Sequence, residues 1–70
     1  MSDLTDARVG DKIYDSSNEV EGIVVALDYD NPINEGESYS VVIRITSTMV
    51  EHDMGRIVSW SPYSFAEVIN

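Results

Sequence analysis

The chain has 70 residues, with thirteen acidic and four basic side chains, a net charge of −9 and no cysteine. A chain of this length forms one small domain and buries only about 60% of the surface its unfolded form exposes. Without cysteine there is no disulfide framework and no thiolate for metal binding or nucleophilic attack. Four cations, Arg8, Lys12, Arg44 and Arg56, are too few to grip a nucleic-acid backbone or an anionic membrane.

Residues 1–7 are polar and read as a flexible tail ahead of a domain over residues 8–70. They lack the basic and apolar regions of a signal peptide. No apolar run approaches the ~20 residues of a membrane span, so a soluble, cytoplasmic protein is expected.

Residues 9–14 read as a first strand entered through a Gly10-Asp11 turn, and residues 15–18 carry turn chemistry throughout. A second strand over residues 21–28 alternates. Ile23, Val25 and Leu27 are assigned to the core face, Val24 and Ala26 to the other. Residues 28–37 form the longest break, with proline, glycine, two asparagines and several acids. In the strand that follows, residues 39–46, Tyr39, Val41, Ile43 and Ile45 share one face. A turn around His52 to Gly55 leads to a strand over residues 56–60. Ser61-Pro62 begins a tight turn or single helical turn, and a short strand over residues 66–69 closes the chain. The expected fold is all-β: a small five-stranded SH3-like barrel of the Tudor type, with one helical turn before the last strand. A five-stranded OB-fold is the competing arrangement, and it needs more chain.

Candidate chemistry is sparse. His52, the only histidine, sits between two acids in a turn, and an exposed, inert role is the default. No serine lies in a nucleophile elbow, and no phosphate-binding glycine pattern occurs. Asp28, Asp30, Asn34, Glu35 and Glu37 supply oxygen donors, but Pro32 occupies the third ligand position of a calcium loop, so no metal or other cofactor is expected. The chain is therefore read as non-enzymatic.

Three surfaces stand out instead. Asp28, Asp30, Glu35 and Glu37 make an acidic loop suited to a basic protein surface. Tyr29, Trp60 and Tyr63 could build an aromatic rim that binds cationic groups through ring faces, with Tyr39 and Phe65 assigned to the core. Val24, Ala26 and Val42 could form an apolar patch for docking or for a homodimer.

Several short motifs resemble a known group. Val9-Gly10-Asp11-Lys12 followed by Gly22-Ile23-Val24-Val25 is similar to the opening of bacterial Tudor and KOW-type barrels, in particular the small C-terminal Tudor-like domain of the UvrD/PcrA helicases. Val41-Val42-Ile43, Gly55-Arg56 and Phe65-Ala66-Glu67-Val68 continue that resemblance over residues 9–69. That family's basic residues and its "F-G-E-G" turn are replaced by residues 16–22 of this chain. The resemblance implies a barrel that docks on protein, and transfers no partner and no site residue.

The expected function is an acidic interaction module that docks on a basic surface of a larger protein, of the kind phage or mobile-element accessory proteins supply. An acidic nucleic-acid mimic that blocks a host DNA- or RNA-handling protein is the alternative, and it requires the carboxylates to share one face. Direct nucleic-acid binding is not expected.

Overall fold

The structure, a computed structural model, describes residues 2–69. Six antiparallel strands form one sheet: β1 (Ser2–Asp3), β2 (Lys12–Asp15), β3 (Val20–Asp28), β4 (Ser40–Ser47), β5 (Ile57–Trp60) and β6 (Glu67–Val68), in the spatial order β1-β6-β2-β3-β4-β5. Two short 3-10 turns, Leu4–Asp6 and Glu51–Asp53, are the only helical segments among the described residues. The fold is all-β, and no helix among these residues is long and apolar enough to cross a membrane.

Residues 2–7, read from sequence as a loose tail, instead carry β1 and a 3-10 turn. Ser2 and Asp3 pair with Val68 and Glu67, Leu4 is fully buried and Ala7 is nearly so. Two apolar side chains, too few to set a pattern, anchor the segment once β6 offers an edge. The sheet thus has six strands rather than five. The first long strand also starts later than expected. Val9 is 63% exposed in a turn, and pairing begins at Lys12.

Gly10 and Gly55 explain where β2 and β5 begin. Gly10 donates its N–H to the Val24 carbonyl (2.8 Å) while the Val24 N–H reaches the Asp11 carbonyl (3.0 Å). Gly55 and Arg56 treat Ile45 identically, at 2.8 and 2.9 Å. Each is a β-bulge that sets two residues against one, and each needs the positive φ that only glycine adopts freely, +96° at Gly10 and +78° at Gly55.

β3 is the longest strand, with register shifts at Glu21/Gly22 and at Val24/Ala26. The second shift leaves Val25 unpaired and inverts the phase of the strand. The expected core face is therefore overturned at its centre. Val24 is 1% exposed and faces Ile43, Val25 is 40% exposed, and only Leu27 returns to the core. Five consecutive apolar residues, 23–27, carry no phase information of their own. In β4 the expected pattern matches the structure: Val41, Ile43 and Ile45 are buried and Tyr39 packs beside them.

The core gathers Leu4, Ala7, Ile13, Val24, Val41, Ile43 and Ala66, flanked by Leu27, Tyr39, Val58, Trp60 and Val68. Burial of the leucine, isoleucine and valine side chains among them, at about 1.5–3 kcal/mol each, is the main driving force for folding. Before β6 the expected helical turn is a single hydrogen-bonded turn from Ser61 to Ser64 (3.1 Å) with Pro62 buried at its centre.

Candidate functional site

The long loop between β3 and β4 is braced by its own acids. The Asp28 carboxylate accepts from the Asp30 N–H and from Asn31 Nδ2, both at 3.0 Å. The Asn31 amide and then the Asp30 N–H hold the Asp28 carboxyl below its ordinary 3.8. At the other end, Glu37 Oε1 accepts from the Asn34 N–H (3.0 Å), and Oε2 accepts a short hydrogen bond from the Ser61 hydroxyl. That hydroxyl is the main reason the Glu37 carboxyl titrates below its ordinary 4.5.

The four acids singled out in the loop therefore divide. Asp28 and Glu37 hold the loop in shape. Asp30 and Glu35 are exposed and spend no side-chain oxygen on the loop. Asp11, Asp15 and Asp53 are braces too: Asp11 Oδ2 accepts from the Arg8 N–H, Asp15 from the Ser17 N–H and Asn18, and Asp53 from Arg56. Much of the chain's acidity thus shapes turns.

The Glu37–Ser61 bond ties the loop to the turn before β6, and this brings the tyrosines together. The Tyr29 and Tyr39 rings lie 5.2 Å apart at 38°. Burial, and then the proximity of Tyr29, Tyr63 and Asp6, raises the Tyr39 hydroxyl above its ordinary 10.0. That hydroxyl lies 3.5 Å from the Thr5 carbonyl. Tyr29 and Tyr63 are 64% and 74% exposed. Phe65, assigned to the core from sequence, is instead 88% exposed, because β6 pairs only over two residues and the preceding turn carries Phe65 outward. With Asp3, Thr5, Pro62, Tyr63 and Ser64, Phe65 lines a cleft of about 250 Å³. Ser64 Oγ in this wall is buried and has no hydrogen-bond partner among the described residues.

Of the expected rim, Tyr29 and Tyr63 converge around Tyr39. Trp60 does not join them as an open ring: it stands opposite Val41 and packs against the core. Phe65 is the rim residue that sequence reasoning missed. Its one signal was position, two residues after an exposed Tyr63 in a proline turn.

The expected apolar patch is dismantled by the bulge in β3. Val24 faces the core, whereas Ala26 and Val42 oppose each other half-buried on the outer face. A different row crosses that face. Lys12, Ile23, Arg44 and Ile57 are successive cross-strand partners over β2, β3, β4 and β5. A shallow cavity of about 180 Å³ near its β2 end is lined by Lys12, Glu21, Ile23, Thr46 and Ile69.

No group of three or more histidines or acids among the described residues is placed to hold a metal ion. His52 is exposed in the second 3-10 turn, 3.8 Å from Asp53. Compared with protein-family models, curated proteins and solved structures, the chain gives no match.

Proposed function

We propose that the protein is a non-enzymatic interaction module whose rim of Tyr29, Tyr63 and Phe65, with the free carboxylates of Asp30 and Glu35 nearby, receives a basic segment of a larger protein. The observation that carries this reading is the exposure of three aromatic rings on the side of the molecule where the acidic loop is strapped to the proline turn. Lysine and arginine gain from both components: ring faces attract cations at about 0.5–1 kcal/mol in exposed sites, and carboxylates steer the encounter. The overall architecture proposed for the module is an SH3-like barrel, which the meander β2-β3-β4-β5 and the return of β6 beside β2 support.

The test is a titration with an arginine-rich peptide followed by amide chemical shifts. Shifts at Tyr29, Tyr63 and Phe65 that disappear in Tyr63→Ala and Phe65→Ala support the rim. Binding that survives both changes and is lost only in Asp30→Asn/Glu35→Gln assigns recognition to charge alone and refutes the aromatic part. The mimic alternative asks for an unbroken carboxylate face, and Lys12 and Arg44 interrupt the outer sheet face. The docking reading is therefore preferred.

A further inference from the structure

We infer that the partner's basic segment binds as an added strand, paired with the free edge of β5. This rests on the rim reading above and goes beyond it, because it assigns the backbone that aligns the segment. β5 is the last strand of the sheet, and no described residue pairs with its outer side. The direction of its polar groups follows from one hydrogen bond. The Arg56 carbonyl accepts from the Ile45 N–H, so Val58 and Trp60, which follow in the same phase, turn their backbone groups toward β4. Ile57 and Ser59, the alternate residues, present their N–H and C=O groups outward. An exposed edge of this kind is a template for another strand.

Charge says which strand. β4 and β5 carry no acidic residue between them. The flanks do: Glu51 and Asp53 lie just before β5, with Asp53 paired to Arg56, and Glu37 is bonded to Ser61 just after it. The exposed Ile57 lies within this acid-free stretch, opposite Arg44, and the rim of Tyr63 and Phe65 follows Ser61 in the chain. The edge thus fits a segment that is apolar or neutral at its centre and basic at both ends. A second copy of the chain brings the same carboxylates to those ends, and its one cation there, Arg56, is already paired with Asp53.

The probe is a short capped peptide with arginine at each end and valine and threonine between. Its binding is followed by amide shifts and hydrogen exchange of the intact protein. The expected result is at least tenfold slower exchange at Ile57 and Ser59, together with shifts at Tyr63 and Phe65. Methylating alternate backbone nitrogens of the peptide keeps its charge and side chains but removes its ladder donors, and should weaken binding about tenfold or more. Ser59→Pro should also weaken binding. It sacrifices an N–H that faces away from β4, so the variant keeps its ladder.

Rim shifts without any change at Ile57 and Ser59 overturn the strand pairing and leave the rim standing. Undiminished binding by the methylated peptide overturns it as well. Edge protection without rim shifts refutes the rim instead. An equally strong response to a peptide ending in glutamates overturns the basic character of the partner. Protection that grows with protein concentration alone makes the occupant a second copy, against the proposal.

Discussion

Gly22→Ala is the sharpest test of the packing. Gly22 is buried where β3 crosses β4, and a Cβ there would stand 2.5 Å from Ile43 Cγ2 and 2.9 Å from the Arg44 carbonyl oxygen. Ordinary contact begins near 3.4 Å, so the two gaps are 0.9 and 0.5 Å too small. Ile43 is fully buried and cannot move aside without displacing its own core neighbours, and the Arg44 oxygen belongs to the backbone of the β3–β4 pair. Overpacking of this kind costs about 1–3 kcal/mol, partly offset by about 0.4–1 kcal/mol from a stiffer unfolded chain. A net loss of about 1–2 kcal/mol remains, against a total stability of about 4–10 kcal/mol for a chain of this length. That corresponds to a fall in Tm of about 4–16 °C. Urea unfolding followed by fluorescence of Trp60, the only tryptophan, measures it directly. An unchanged m with a loss below about 0.5 kcal/mol would refute the assigned contact between β3 and β4.

Three further outcomes follow from the same structure. Leu4→Ala should cost about 2–5 kcal/mol in the same assay, a penalty foreign to a loose tail. Asp3 and Glu67 stand directly opposite one another across β1 and β6, so Glu67→Lys should stabilise by about 0.2–1 kcal/mol in thermal unfolding, and a neutral or destabilising result would argue against that register. Asp28 and Glu37 titrate below their ordinary 3.8 and 4.5 when folded, so their contribution is complete above those values and is lost as pH falls through the lower folded values. Stability measured from pH 6 down to about pH 3 should therefore decline less steeply in Asp28→Asn/Glu37→Gln than in the parent.

The strand content was legible because alternation in β4 and turn residues on either side of β3 are local signals. What escaped was set by contacts distant in sequence. The bulge that turns Val24 inward depends on β4 at Ile43 and Val42, and nothing in residues 23–27 marks it. Leu4 is buried only because β6, from the opposite end of the chain, offers an edge to Ser2–Asp3. Phe65 looked like a core residue because it is large and apolar, yet it sits in a turn whose direction is set by Pro62 and the Ser61–Ser64 hydrogen bond. The acidic loop was visible as composition. Which carboxylates are free and which are braces was not, because Ser61, the partner of Glu37, lies 24 residues away.

That bond between Glu37 and Ser61 bears on the entropy of recognition. A loop that is loose before binding must be ordered by its partner, and each immobilised side chain or segment subtracts from affinity. Here Asp28 pins one end of the loop and Glu37 fastens the other to the proline turn, so Asp30 and Glu35 are displayed on a segment already shortened and shaped. Protonating Glu37 weakens that fastening and gives the loop back its freedom while Tyr29, Tyr63 and Phe65 keep their chemistry. The affinity of the rim should therefore fall as Glu37 is protonated, with the loss appearing as a less favourable binding entropy.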